Sequence, residues 1–246
     1  TTLAKGYRGV HVDDVNMNLT VGNGSGAAVT PVDPRTGQLM TNDNWQRYFA
    51  EFMEQTRTAM PNAELVHNAR WFDAPNHDGQ DAEIQREIKA ADFFELERGF
   101  WDSGLTGGTG QWSVDRVMRF IDDVHGLGRH VVTLASPANT AAAAEYNMAG
   151  TLLTSVGGDY QYANYGWQPT AWWPAYDLDL GDALGTRTRS IDGLFRRDFA
   201  NGIALLNEPG ATTKTISLGG TYKTTSGQLV SSVTLTAKQG AVLVKP

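Results

Sequence analysis

The chain has 246 residues, with 20 Lys+Arg against 27 Asp+Glu and a formal net charge of −7 with histidine neutral. Charge alone excludes a basic nucleic-acid binder, and the absence of cysteine excludes disulfides, thiolate nucleophiles and cysteine metal sites. No apolar run approaches the roughly 20 residues of a membrane helix, while 41% apolar and 10% aromatic residues suffice for a sizeable core.

The chain starts Thr1-Thr2-Leu3, without methionine or a signal-like leader, and enters a strand within a few residues, so an upstream segment is expected to be missing. That strand is Gly9-Val10-His11-Val12-Asp13-Asp14, an alternating run with acidic residues at its C-terminal end. Asn16 to Thr41 is rich in Gly, Asn, Thr and Pro without a period and predicts a long loop. From Asn42, Trp45, Tyr48, Phe49, Phe52 and Met53 fall at helical spacing, and Met60-Pro61 ends the helix.

Ala63 to Asn68 predicts a second strand, and Asp81 to Lys89 a short helix with Ile84 and Ile88 on one face. Ala91 to Glu97 predicts a third strand ending in a carboxylate, followed by a loop over Arg98 to Trp112 that holds Gly104-Leu105-Thr106-Gly107-Gly108-Thr109-Gly110, of which Gly107 to Gly110 reads as a mobile turn. Ser113 is the expected N-cap of a helix whose Val117, Phe120, Ile121 and Val124 form an apolar stripe. A fourth strand, Arg129 to Ala135, precedes Ser136-Pro137 and an Ala-rich helix from about Thr140 to Val156.

Strands alternating with helices are the rhythm of parallel β/α units. Acidic residues at strand ends, and no glycine-rich phosphate turn opening a helix, favour a (β/α)₈ TIM-type barrel over an open doubly wound sheet. Such a barrel takes about 250 residues. Residues 1–190 show only four clear strands, so the expectation is an α/β chain carrying the C-terminal part of a barrel, incomplete at its N-terminus.

An aromatic, turn-rich stretch follows, with Tyr160, Tyr162, Tyr165, Trp167, Trp172, Trp173 and Tyr176; Trp172-Trp173-Pro174 is expected to pack the barrel against what comes next. Residues 191–246 read as a small antiparallel sheet or sandwich of about five strands, punctuated by Asn207-Glu208-Pro209-Gly210, Gly219-Gly220 and Ser226-Gly227.

Two carboxylates at neighbouring strand ends carry the chemistry. Alternate residues share a face of a strand, so Asp13 and Glu97 are expected to meet at the barrel mouth, as glycosidic bond cleavage requires of one proton donor and one nucleophile or base. Asp13 is preferred to Asp14, which points the other way and fits an N-cap, and Glu95 lies a layer deeper as a partner. His67 and Asn68, ending the second strand, can bind sugar hydroxyls or orient a carboxylate, and His67 fits equally well as a core histidine. His11 reads as a buried inward residue. Trp71 and Trp101, in loops after strands, can stack on sugar rings or close the core. No H-x-x-x-H or H-x-H spacing supports a metal, and no P-loop, dinucleotide or G-x-S-x-G motif is present, so no cofactor is expected.

Gly6-Tyr7-Arg8-Gly9-Val10-His11-Val12-Asp13-Asp14-Val15-Asn16 resembles the aspartate-bearing strand of barrel glycosidases. Phe94-Glu95-Leu96-Glu97-Arg98-Gly99-Phe100, with the glycine loop Gly104 to Gly110, resembles the glutamate strand of the hypothetical glycosyl hydrolase family 15, a set of barrel proteins of bacteria and of tail proteins of actinobacterial phages. Arg197 to Gly202 and Asn207-Glu208-Pro209 resemble the β domain that follows those barrels. The resemblance covers the second half of the family's barrel. It implies a retaining two-carboxylate hydrolysis of a polysaccharide, with Asp13 as nucleophile and Glu97 as acid/base, and an extracellular or virion-associated setting.

The expected partner is a carbohydrate, with no nucleic acid and no membrane, and the rest of the barrel is expected from an N-terminal segment or a larger parent chain. The rival reading is a non-catalytic carbohydrate-binding or phage-tail adhesin module. The acidic balance suits a neutral glycan, unless Arg70 or Arg98 acts locally.

Overall fold

The structure is a computed structural model that describes residues 5–135, 140–163 and 172–246. Ser136, Pro137, Tyr165 and Trp167 of the sequence reading lie outside them. The chain divides into two compact units, residues 1–96 with 119–131 and residues 97–118 with 132–246.

The first unit contains β1 (Gly9–Val15), a small hairpin of β2 (Val21–Gly22) and β3 (Ala28–Val29), α1 (Asn42–Ala59), β4 (Glu64–Ala69), α2 (Ala82–Ala90) and β5 (Phe93–Leu96). The hairpin stands in the stretch predicted as a long loop, its two strands joined antiparallel at Val21–Val29 and Gly22–Ala28. β1, β4 and β5 are adjacent and parallel: Val12 is in register with His67, and Asn68 with Glu95. Helix starts follow the local signals. Thr41 Oγ1 accepts the Asn44 N–H at 3.2 Å ahead of α1, and Asp81 Oδ1 accepts the Glu83 N–H at 2.9 Å ahead of α2.

On β4, Leu65, His67 and Ala69 are buried while Val66 and Asn68 are partly open, the alternation a strand imposes. α1 departs from the expected stripe. Its buried residues are Gln46, Ala50 and Met53, whereas Phe52 is exposed. A glutamine can hold that position because its amide donates to the Asp73 carbonyl at 3.1 Å, so burial leaves it satisfied.

The core of this unit holds a buried pair of titratable side chains. His67 Nδ1 lies 2.7 Å from Glu87 Oε1, with both side chains essentially inaccessible. Burial pushes the Glu87 carboxyl above its ordinary value of 4.5, the nearby His67 pulling the other way. Burial also raises Asp73, against hydrogen bonds from the Met17 and Asn18 amides. A raised folded-state pKa means that the native state holds more protons than the unfolded chain. That stabilisation is therefore complete below about 4.5 and is lost as pH rises through the raised value. The stability difference between wild type and Glu87→Gln, from urea melts across that interval, should shrink as pH rises; a pH-independent difference would contradict this account.

The chain passes between the units after β5, within α3 (Val114–Gly126) and within β6 (His130–Ala135). Ser113 caps α3 as expected, its Oγ accepting the Arg116 N–H at 3.1 Å. In the second unit β6 pairs in parallel with β7 (Tyr160–Ala163), in register from Val132–Tyr160 to Ala135–Ala163. β7 is a fifth parallel strand, placed where an aromatic turn region was expected. The described residues thus hold five parallel strands, not the eight of a closed barrel.

Beyond α4 (Ala141–Thr154) come β8 (Thr188–Arg189), β9 (Leu194–Phe199), β10 (Gly202–Asn207), β11 (Lys214–Thr224), β12 (Leu229–Leu235) and β13 (Gln239–Val244). They form one antiparallel sheet in the order β12-β11-β13-β10-β9-β8. β11 runs through Gly219-Gly220, which the sequence reading took as a break: the register slips between Ser217 and Tyr222, and Gly219 takes φ +72°, so the glycines make a bulge inside one strand. Ile203, Leu205, Leu218, Leu235 and Leu243 form a core on the sheet. α4 packs on it too. Glu145 Oε1 accepts the Val242 N–H at 3.0 Å, and Gly240 sits so close to Tyr146 and Ala149 that a side chain there would collide. Among the described residues no helix is long and apolar enough to cross a membrane.

Candidate active site

In a parallel sheet each strand brings its C-terminal residues to one end, where β/α folds place their chemistry. In the first unit that end carries Asp13 on β1, Asn68 on β4 and Glu95 on β5. The pairing of β1 with β4 shifts between Val12 and Val15, and Asp14 between them has φ +53°, a backbone state uncommon outside glycine. This is a bulge, a device that re-aims a side chain.

Asp13 stands at this bulge. Asn68 Nδ2 donates to Asp13 Oδ1 at 2.8 Å and the Asp14 N–H donates to the same oxygen at 3.0 Å. Both bonds fall on Oδ1 of this exposed carboxylate. One strand further, Glu95 is largely buried, and His11 Nε2 lies 3.2 Å from its Oε2, with His11 itself half exposed. His11 is therefore an accessible partner of a carboxylate, not the buried residue expected.

Asp14 lies in the bulge with a left-handed backbone and accepts from Asn16 Nδ2 at 3.4 Å. His67 does not line this edge. Strand parity turns it into the core against Glu87, and its Nε2 has no hydrogen-bond partner among the described residues. Trp71 is buried too, edge-on to Phe72 and His77, and shows little ring face to solvent. Among the described residues no cluster of three or more His, Asp or Glu is arranged to hold a metal.

Glu97 and Trp101 belong to the second unit. β5 ends at Leu96, so Glu97 is an exposed turn residue one step beyond the strand. Trp101 is packed edge-on to Tyr146 at 5.7 Å, while the Lys238 ammonium covers its ring at 4.6 Å and donates to its carbonyl. Much of the surface it would offer a sugar is thus occupied.

The glycine loop is anchored and not a mobile turn. Gly108 N–H donates to Glu208 Oε1 at 3.0 Å, and a side chain on Gly107 would strike the Pro209 carbonyl. Glu208 in turn receives both Nε and Nη2 of Arg189, at 2.9 to 3.2 Å. Glu208 escaped the sequence reading because Asn-Glu-Pro-Gly looks like a plain turn.

A family model, hypothetical glycosyl hydrolase family 15, matches residues 2–203, most of the chain. The chain belongs to this family. Membership supports a glycoside hydrolase. Comparison with curated protein sequences gives no match. Among solved structures the chain is similar to a cyclic α-maltosyl-(1→6)-maltose hydrolase from Arthrobacter globiformis, at 12% identity over 81% of this chain and 54% of that one, with a TM-score of 0.39. It is also similar to a GH30 endoxylanase from Clostridium papyrosolvens C71, at 14% identity over 80% of this chain and 59% of that one, with a TM-score of 0.41. A Nostoc punctiforme debranching enzyme matches at 14% identity over 99% of this chain and 58% of that one, with a TM-score of 0.35. The family member thus spans between half and three fifths of these enzymes' lengths.

Proposed function

We propose that this protein hydrolyses a glycosidic bond in a polysaccharide with a pair of carboxylates, Asp13 and Glu95. The observation that carries the reading is the linked row across three parallel strands: Asp13 held by Asn68, and Glu95 in register with Asn68 and in contact with His11. Asp13, exposed at the strand end, attacks the anomeric carbon. Glu95, nearly out of water and sharing hydrogen-bonding distance with an imidazole, gives a proton to the leaving oxygen and then takes one from water. Asn68 orients Asp13 and stands where a sugar hydroxyl would be bound.

Glu95 takes the acid role in this scheme because it shares the row with Asp13, whereas Glu97 follows the strand as an exposed turn residue. At the backbone, Asp13 and Glu95 are about two strand spacings apart, roughly 9.6 Å. Retention requires carboxyl groups only about 5–5.5 Å apart. The Asn68 bond draws Asp13 towards β4 and so towards Glu95; retention is what the family resemblance implies.

The stereochemistry is read by proton NMR of the first product formed from a panel of neutral polysaccharides. The expected product keeps the anomeric configuration of the bond cleaved. Inversion would make Asp13 the base for water instead of the nucleophile, and no released sugar from any substrate would overturn hydrolysis altogether in favour of a binding module. An extracellular or virion-associated setting suits a polymeric glycan substrate.

A further inference from the structure

The second unit carries an aromatic surface that the proposed chemistry does not use. Trp172 and Trp173 are neighbours with opposite fates: Trp173 packs against the cluster of Ala135, Ala143, Ala144 and Ala163, while Trp172 is 66% exposed. An indole is among the costliest side chains to leave in water, and exposed aromatics that stand together form the kind of patch that marks contact sites. Trp172 is fixed. Its Nε1 donates to Asp177 Oδ2 at 3.1 Å, and Tyr176 stands edge-on to it at 5.3 Å.

Tyr176 is itself tied down, its hydroxyl accepting the Ala163 N–H at 2.9 Å at the end of β7. On that strand Tyr160 and Tyr162 share one side by alternation, and both are exposed. With its N–H spent on Asp177, the indole offers a ligand only its π face. Flat apolar faces edged with hydroxyls, the shape of a pyranose ring, match a π face bordered by carboxylate and phenol groups. From Trp172 to Thr186 the chain carries Asp177, Asp179 and Asp182 and no Lys or Arg, so the local field repels anions.

We propose that Trp172, braced by Tyr176 and Asp177, is a stacking platform for a sugar ring of a neutral polysaccharide. The proposal rests on the carbohydrate class of the reading above and assigns it a second point of attachment. Held rigid before binding, the ring loses little conformational freedom on contact. Its role is to retain polymer, so its loss affects long glycans and spares short ones.

The test is affinity electrophoresis of the whole chain through gels containing xylan, laminarin, hydroxyethylcellulose or amylopectin, with polygalacturonate as the anionic comparison. Wild type is expected to be retarded by at least one neutral polymer. Trp172→Ala should weaken that binding about tenfold, the worth of roughly one aromatic contact, while Trp172→Phe restores part of it and Trp112→Ala, at another exposed tryptophan, changes nothing. Retardation of Trp172→Ala equal to wild type, no retardation by any neutral polymer, or retardation by polygalacturonate alone would each overturn the platform. Binding by a Glu95→Gln variant that no longer hydrolyses supports both readings. Binding by a wild type that never hydrolyses sinks the glycosidase and leaves the platform standing.

Discussion

Glu95→Gln is expected to lower kcat on a cleaved glycan by about 10²–10⁴-fold, the usual range for a lost proton-transfer group, with the melting temperature nearly unchanged. The amide keeps the shape and the contact with His11 but cannot deliver and recover a proton. Asp13→Asn should be at least as severe, since the amide is no nucleophile while its oxygen still accepts from Asn68. External azide separates the two roles: it should restore turnover to a variant lacking the nucleophile, with inverted product. Glu97→Gln is the decisive comparison. Near-normal turnover is expected for this exposed turn residue. A collapse of activity in Glu97→Gln with Glu95→Gln spared would hand the acid role to Glu97, as the strand-end motif implies.

The second large effect is on stability. Arg189→Leu leaves the Glu208 carboxylate, whose side chain is 8% exposed, without the guanidinium that binds it through two nitrogens. Removing one partner of a buried pair costs about 3–5 kcal/mol, because the remaining charge is stranded away from water. Arg189 is itself partly exposed, so the lower end, about 3 kcal/mol, is expected, roughly 6–12 °C in melting temperature for a chain of this size. The Gly108 amide then remains the carboxylate's chief partner, and the glycine loop should exchange its amide hydrogens faster. Arg189→Lys, which keeps the charge and loses the fork, should fall between. A loss below about 0.5 kcal/mol in Arg189→Leu would show the pair to be an ordinary surface bridge.

Local rules made much of the fold legible. The spacing of Ile84 and Ile88, the caps at Asp81 and Ser113, and the alternation of β4 are encoded within a few residues of where they act, and they appear where periodicity puts them. The same holds for Asp13, whose place at a strand end follows from the run that precedes it. The stripe on α1 was misread for the opposite reason. Its aromatics repeat at helical spacing, but the face that packs is chosen by the neighbours of the helix, and a glutamine with a carbonyl to bond outranked them.

The candidate site shows the same division. Sequence by itself determined the family motifs, the β/α order and a shortlist of carboxylates, because strand and helix periods and capping chemistry are properties of adjacent residues. It could not say that β5 stops at Leu96 and leaves Glu97 outside, that His67 turns inward to Glu87, that His11 meets Glu95, or that Trp172 and Trp173 part company. Those outcomes depend on which distant groups supply hydrogen bonds and which surfaces are covered. Both are set by pairings between segments tens of residues apart, so only the tertiary structure decided them.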